Sequence, residues 1–416
     1  MLFFALFSSC TPTIAERVGD HRFATPIDAP STVALLDGGE IDTRAATCGT
    51  CHVDHHAEWS QSTHAYAVRD VQYLAELGKP GQPRWLCLNC HAPTAPQRAE
   101  RITPDTRLGA ADSIEAVRAE PNPDYDARRT PEGVTCASCH VRRDADGKGT
   151  IVGPRGSGRA PHRVRHDQAA LRGVCEGCHS PGEQIVLTPT FPCWFTTAEE
   201  IAAGPRAGEE CVSCHMPSTA RPAAEGAPAV PLQRHTWTGG GIPKTEAGFA
   251  TLAERGWESG VDVTLAIDPP RVTLTNARAA HAIPTGDPER HLVVRASVLD
   301  AAGVELAADT LRIGQRWDWG DAATGRAARK LDDNRLGPGE VREWRPTLPP
   351  APAGASLQVV VTHVRLTPEN AAHMGTATID AELRTLWPEA PNDLDVAISA
   401  YPKSREVYRG SVAFQE

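Results

Sequence analysis

The last third of the chain alternates between apolar and polar residues, a pattern typical of strands with one buried face. Clear alternation covers Val261–Ile267 and Leu292–Leu299, and looser alternation covers Leu357–Leu366. Asp300–Gly303 and Pro338–Gly339 have the composition of turns between such strands. We therefore predict an Ig-like β-sandwich that starts at residue 261, with a C-terminal extension that ends at residue 416. The alternative is an irregular appendage.

The first part of the chain shows short helical patterns instead. We predict helices at Ala65–Leu77 and Thr196–Ala203, a polar tether over residues 11–42 and a surface connection over residues 217–231. Glycine and proline each occur 35 times, and aromatic residues make up only 5% of the chain. Such a segment buries little apolar surface of its own. We expect a mainly α domain of short helices and loops over residues 43–241, and a linker over 242–260.

The N-terminus resembles a secretory signal. Met1–Phe7 is an apolar run, and the small residues Ser8 and Ser9 precede Cys10. This arrangement resembles a bacterial lipoprotein signal, in which Cys10 would be lipidated and become the first residue of the mature protein. The alternative is an ordinary signal peptide with an incidental cysteine. Either version predicts an exported protein in the periplasm, in the outer membrane or on the cell surface.

One short motif, Cys-x-x-Cys-His, occurs five times within residues 43–241. Its cysteine pairs are Cys48 and Cys51, Cys87 and Cys90, Cys136 and Cys139, Cys175 and Cys178, and Cys211 and Cys214; its histidines are His52, His91, His140, His179 and His215. This is the attachment motif of haem c. The two thiols bond to the porphyrin, and the histidine that follows gives its imidazole nitrogen to the iron as the proximal ligand. The sequence therefore predicts five covalently bound haem c groups, around which the first domain packs.

Zinc ribbons are the alternative, because they also use Cys-x-x-Cys pairs. A zinc site does not require histidine directly after the second cysteine in every copy, so the five motifs favour haem. They use ten of the 12 cysteines and leave Cys10 and Cys193, so no framework of structural disulfides remains to be built. Cys193 has no predicted role beyond that of a buried thiol.

The formal net charge of −10 limits the partners. Haem propionates would make the protein more acidic still, and nucleic acid is therefore excluded as a partner. Redox partner proteins or other cytochromes are compatible with this charge, as are small acceptors. The sequence does not determine the oligomeric state.

The remaining histidines determine how many haem irons have both axial positions occupied by imidazole. An iron with two imidazoles transfers electrons without binding substrate, whereas an iron with one is open to chemistry. The chain has 16 histidines, of which the motifs use five. The candidates for distal ligands lie near motifs or at the start of the predicted sandwich: His55, His56, His64, His162, His166, His235 and His281. His21, His363 and His373 lie far from any motif, and we expect no ligand role for them; His291 is intermediate.

A family resemblance lies in the first motif and the residues that follow it, Trp59, Ser62, His64 and Ala65. This stretch resembles the multihaem cytochromes related to hydroxylamine oxidoreductase and the tetrahaem nitrification cytochrome. The resemblance covers residues 47–241 and implies that His64 is a distal ligand to a different haem. It implies the same role for His235, which precedes Thr236–Gly239. The Lys-for-His motif of pentahaem nitrite reductases is missing, and no tyrosine maps onto the crosslink of hydroxylamine oxidoreductase.

These observations predict an exported pentahaem c-type cytochrome that transfers electrons along closely spaced bis-histidine haems. An electron carrier is favoured over an enzyme, and no catalytic residue is predicted. One alternative is an oxidoreductase that acts on a small nitrogen or sulfur compound at an open haem. Another is a docking component of an outer-membrane or extracellular electron conduit.

Overall fold

The computed structural model describes residues 26–78, 84–102, 119–155, 160–180, 196–237, 239–320, 324, 326 and 328–414. The predicted signal and residues 11–25 of the predicted tether lie outside the described residues, as do Cys10 and Cys193. None of the helices in these described ranges is both long enough and apolar enough to cross a bilayer.

Short helices carry four of the five motifs, and the first motif spans the end of one helix and the turn before the next. The helices of the motif-bearing part are α1 Ala45–Gly49, α2 Val53–Ser60, α3 Val71–Leu77, α4 Arg84–His91, α5 Cys136–His140, α6 Gln168–His179, α7 Thr197–Ala203 and α8 Cys211–His215. The later helices are α9 Ala247–Glu254, α10 Pro368–Gly375, α11 Ala381–Leu386 and α12 Leu394–Ser399. The predicted helix at Thr196–Ala203 is confirmed by α7. The one predicted over Ala65–Leu77 begins only at Val71, where the Asp70 carboxylate caps the first turn.

Strands run through both parts of the chain. Those of the first part are β1 Thr32–Ala34, β2 Glu40–Asp42, β3 Glu100–Ile102, β4 Ala119–Pro121, β5 Val141–Arg143, β6 Gly149–Gly153, β7 Val164–His166, β8 Ser218–Pro222 and β9 Ala229–Gln233. Those of the second part are β10 Val261–Ile267, β11 Pro270–Asn276, β12 His291–Leu299, β13 Glu305–Asp318, β14 Arg329–Asp333, β15 Val341–Trp344, β16 Ser356–Val364 and β17 Ser404–Ala413. Strands therefore occur in all three segments in which alternation predicts them.

The predicted fold class, a mainly α first domain followed by an Ig-like sandwich, is wrong. The structure has 26% helix and 31% strand, and four small sheets lie among the motifs. Three of the helices that hold motif residues, α1, α5 and α8, are only five residues long, and parts of the chain between the motifs form paired strands. Gly149–Gly153, for example, pairs with β5 on one side and β7 on the other. The second part departs too, since α10, α11 and α12 separate its last two strands.

Two antiparallel sheets in the second part share one apolar core. The first has the strand order β10-β11-β15, and the second has the order β14-β13-β12-β16-β17. Their facing side chains are fully or almost fully buried, for example Leu274 from β11, Val294 from β12 and Val359 from β16. Burial on β16 alternates strictly, so Leu357, Val359 and Val361 share one face, and His363 follows them on it.

The two parts of the chain are packed against each other. Residues of α10 and α12 form an apolar cluster with Ala75 of α3. Elsewhere, the Glu200 carboxylate in the middle of α7 accepts hydrogen bonds from the Ala282 backbone N–H at 3.0 Å and from the Thr285 hydroxyl at 3.0 Å. It also pairs with Arg335 at 2.6 Å. The first part therefore holds the segment that contains His281.

Candidate functional site

One large cavity connects all five motifs. Its volume is about 2860 Å³, and cysteines and the histidine of every motif line it. Sites for one small ligand usually enclose roughly 300–1,000 Å³. The cavity therefore has room for several large ligands, and its lining is mostly apolar side chains, as a porphyrin requires.

Helical geometry explains how each motif faces the cavity. Residues at positions i, i+3 and i+4 of a helix lie on the same side. In α5 and α8 these positions are the two cysteines and the histidine of one motif. The ten motif cysteines are all free thiols. Each motif can therefore present two thiols and one imidazole to the same ligand.

Backbone carbonyls fix the orientation of three motif histidines. The Nδ1 atom of His52 lies 2.6 Å from the Ala223 oxygen, that of His91 lies 2.7 Å from Ala67, and that of His140 lies 2.9 Å from Val152. A carbonyl can only accept, so Nδ1 carries the proton and Nε2 keeps its lone pair. This is the usual arrangement of a histidine that binds a metal through Nε2.

Four motif histidines face a second imidazole across the cavity. The pairs and their ring-centroid distances are His52 and His162 at 6.4 Å, His179 and His64 at 6.2 Å, His140 and His235 at 6.1 Å, and His215 and His281 at 6.2 Å. An imidazole nitrogen binds a metal at about 2.0–2.1 Å, so a metal between two such rings puts their centroids about 6.3 Å apart. The four pairs thus have the spacing of two axial ligands on one iron.

Burial keeps these imidazoles in the neutral form that can bind metal. It lowers the pKa of His64 to about 3, and the nearby histidine His179 adds to the effect. It also lowers the pKa of His235 to about 3, together with the charge on His140. The pKa values of His140 and His179 are lowered for the same primary reason.

The second motif differs from the other four. In the described part of the chain, the ring against His91 is that of Tyr73, stacked at 3.8 Å with an angle of 2° between the planes, and not a second imidazole. The Tyr73 ring lies flat against the face of the His91 ring, so it does not occupy the position of an axial ligand, which would lie beyond the Nε2 atom.

The structure separates the seven candidate distal histidines. It brings His64, His162, His235 and His281 opposite motif histidines. The His55 ring centroid lies 6.1 Å from that of His52, at 87°, and 5.0 Å from that of His235, at 78°, so His55 is an alternative to His162 opposite the first motif. His56 packs against Trp59 at 5.5 Å, and His166 is exposed on β7.

His281 reaches the cavity through a buried support. The amide of Asn276, which is 1% exposed, donates to the carbonyl oxygens of His281 at 2.8 Å, Leu336 at 3.2 Å and Gly337 at 3.0 Å. The Nδ1 atom of His281 lies 2.9 Å from the Ala282 oxygen. The end of β11 therefore fixes the backbone that carries this imidazole.

Contacts between motifs establish their order in space. The thiol of Cys48 lies next to that of Cys136, and the thiol of Cys175 lies next to that of Cys211. Cys139 is within electrostatic reach of Cys175. Motifs one, three, four and five thus adjoin in that order. The second lies beside the fourth, because the charge on its histidine lowers the pKa of both His64 and His179.

Sequence reasoning missed one residue of the cavity wall. His363 is 6% exposed and lines the cavity, although it is far from every motif along the chain. The only sequence signal is its place on the apolar face of the strand predicted over Leu357–Leu366.

Comparisons with protein-family models and with curated proteins find no match. Among solved structures, the chain is similar to a penta-haem cytochrome c552 from Thermochromatium tepidum. The TM-score is 0.53 and the sequence identity is 20%, over 88% of this chain and 97% of that one. The two proteins share a fold. At this identity the likeness establishes the fold, while the ligands of this chain follow from its own residues.

The residues fit haem c. Haem c requires paired thiols, oriented imidazoles with a free Nε2 atom and a mostly apolar cavity. This chain has all three, and the cavity has room for several large ligands. The ten motif cysteines would hold the porphyrins, and the five motif histidines would bind the irons.

Proposed function

We propose that the protein is a pentahaem c-type cytochrome that transfers electrons. The observation that carries the proposal is the set of four imidazole pairs at 6.1–6.4 Å inside one cavity that all five motifs line. Haem iron supplies one-electron redox chemistry when bound. The chain contributes attachment, axial ligation and the exclusion of water.

The proposed ligand set follows from the pairs. His52, His91, His140, His179 and His215 are the proximal ligands, and His162, His235, His64 and His281 are the distal ligands of motifs one, three, four and five respectively. The adjoining order of these four motifs supports an electron path along them. The second motif, beside the fourth, is a branch of that path.

The proposal includes export and a redox partner. Attachment of haem c takes place after secretion, and the apolar N-terminal run before Cys10 supports a lipoprotein anchor. A chain with a net charge of −10 fits redox partner proteins or other cytochromes with a complementary basic surface.

A second candidate function is favoured by the ring packing at His91. An iron held there without a second imidazole would be open to a small nitrogen or sulfur compound, and the protein would then be an oxidoreductase at that haem. The two functions are compatible, because the other four motifs would deliver or remove the electrons.

Two measurements on the holoprotein test these functions. The intact mass after denaturation should exceed that of the mature polypeptide by five haem masses. Electron paramagnetic resonance should show four low-spin bis-histidine irons and a distinct fifth iron. Fewer than five haems would contradict the pentahaem proposal, and five equivalent low-spin irons would exclude the open haem. Carbon monoxide should shift the Soret band only if the fifth iron is open.

A further inference from the structure

Trp237 contacts the distal imidazoles of two neighbouring motifs. Its indole ring packs against His64, the proposed distal ligand of the fourth motif, with the ring centroids 4.6 Å apart and the planes at 67°. It also packs against His235, the proposed distal ligand of the third motif, at 5.2 Å and 83°. Both contacts have the edge-to-face geometry that aromatic rings prefer. One side chain therefore touches two of the four proposed distal ligands.

The backbone of Trp237 has a conformation that a large side chain disfavours. Its φ angle is 41°, and among the described residues it is the one non-glycine residue with a positive φ. Glycine takes such a conformation at little cost, whereas a bulky residue is strained in it. A strained conformation of this kind persists only where the surrounding structure fixes it. The strain therefore indicates that the indole ring is required at this position.

A buried apolar cluster supports the indole ring. The cluster consists of Ala45, Trp59 and Ala65, which are at most 8% exposed, and Trp237 packs against it. The Trp59 indole N–H donates to the Val134 carbonyl oxygen at 2.8 Å, so a hydrogen bond anchors the cluster. Trp237 therefore has a fixed position from which it contacts the two imidazoles.

The two imidazoles depend on this contact to different degrees. The Nδ1 atom of His235 lies 3.1 Å from the Gln233 oxygen, and the His235 backbone N–H donates to the Glu58 carboxylate at 2.7 Å. Within the described ranges of the chain, the His64 ring makes no hydrogen bond. A histidine that binds a metal is usually oriented by a hydrogen bond to its second ring nitrogen. Packing against Trp237 takes the place of that bond for His64 and adds to it for His235.

The third and fourth motifs adjoin, so Trp237 lies at the junction of two proposed haem sites. The imidazole planes are 33° apart in the pair His140 and His235, and 55° apart in the pair His179 and His64. The relative orientation of two axial imidazoles affects the electronic structure of the iron between them, and therefore its paramagnetic resonance signal. Loss of the indole ring would free both orientations.

We propose that Trp237 is a positioning residue for two haems and sets the ring planes of the distal ligands of the third and fourth motifs. The inference rests on the proposed function and adds to it a residue that is not an iron ligand. The indole is uncharged and binds no metal, so it acts only through the two imidazoles. A change at this one residue should therefore affect two irons and leave the other three as they are.

Electron paramagnetic resonance on the Trp237→Gly holoprotein tests the inference. Glycine takes a positive φ without strain, so this variant can keep the path of the backbone while it loses the indole ring. Two of the four low-spin signals should shift, because the His64 and His235 rings lose the surface that fixes their planes. The midpoint potentials of the same two haems should shift as well. The other two low-spin signals and the fifth iron should not change.

Three further variants separate positioning from a general loss of stability. Trp237→Leu keeps an apolar side chain against the cluster but no ring, and it should shift the same two signals. Trp237→Phe keeps an aromatic ring, so its signals should stay close to those of the wild type. Trp344→Gly is the matched control, because Trp344 packs against the core of the two sheets and does not line the cavity. It should leave every signal unchanged.

An unchanged spectrum in Trp237→Gly would overturn the inference, and so would a shift in only one signal. Equal shifts in Trp237→Phe and Trp237→Gly would also contradict it, because the effect would then not depend on an aromatic ring. A shift of all four low-spin signals, or the same shifts in Trp344→Gly, would assign the effect to general loosening of the fold.

The wild-type spectrum distinguishes a failure of this inference from a failure of the proposed function. Fewer than four low-spin signals in the wild type would contradict the proposed ligand set, and the inference with it. If the inference alone is wrong, the wild type keeps its five haems and four low-spin signals, and only the variants depart from expectation.

Discussion

At the residue scale, the histidines differ in the partner of their Nδ1 atom and in the ring that lies opposite them. Five motif histidines have the same local sequence, yet His91 packs against a tyrosine while the other four face an imidazole. His55 is nearer to a motif along the chain than His64 is, and it lies 6.1 Å from His52 and 5.0 Å from His235. The ring that lies opposite a motif histidine in space, and not proximity in sequence alone, identifies the ligand candidates.

The first prediction concerns His281. Because its ring faces His215 at 6.2 Å, His281→Ala should convert one of the five irons of the holoprotein from low-spin to high-spin. The other four irons should keep their signals in electron paramagnetic resonance. His166→Ala is the control, since His166 is exposed and opposes no motif histidine. An unchanged spectrum in the His281 variant would assign that residue a structural role.

At the element scale, the short helices present the chemistry and the sheets determine where it lies. Sequence patterns identify the motifs, the strand at Val261–Ile267 and the helix at Thr197–Ala203, because each depends on residues close together along the chain. They do not identify β6, a five-residue strand whose partners follow from tertiary pairing. Likewise, the fit of His281 to the fifth motif depends on Asn276 and Glu200, which no local pattern connects.

The second prediction concerns the contact that Glu200 makes with the second part of the chain. Glu200→Ala removes the acceptor for the Ala282 N–H, the Thr285 hydroxyl and Arg335, so the unfolding free energy should fall by about 2 kcal/mol. Chemical denaturation of the holoprotein measures this. Glu199→Ala, on the exposed side of the same helix, should change it by less than about 0.5 kcal/mol. Equal effects of the two variants would show that the contact contributes nothing specific.

At the scale of the whole molecule, the five motifs surround one cavity whose wall comes from both parts of the chain. The sequence predicts five attachment sites but not their arrangement, because thiol contacts such as that between Cys48 and Cys136 join residues far apart in sequence. It also gives no role to His363, whose burial results from packing of the second part against the first. Local chemistry is therefore predictable here, and the assembly of distant segments is not.

The third prediction is the pH dependence of stability. Burial lowers the pKa of His363 to about 4 and also lowers that of His291, and neither residue is a proposed iron ligand, while an unfolded histidine titrates near 6.5. Between these values the unfolded chain binds more protons than the folded one, so stability is complete above about pH 6.5 and falls as the pH decreases toward 4.

Denaturant midpoints measured from pH 8 to pH 4 check this prediction. The midpoint should be constant above about pH 7 and then fall as the pH decreases. Carboxylates with a lowered pKa, such as Asp42 and Asp126, contribute with the same sign but only nearer to pH 4. A midpoint that is constant down to pH 4.5 would show that the buried histidines do not control acid stability.

The packing of the two parts also limits how this protein can be divided or recombined. A module can be exchanged between proteins only if cutting the chain leaves both pieces with a complete surface. Cutting near residue 242 would expose Ala75 of α3, remove His281 from its partner and open the wall that His363 forms. The β-rich part therefore completes the cavity around the motifs, and a chain cut down to residues 26–241 would be left with an open side.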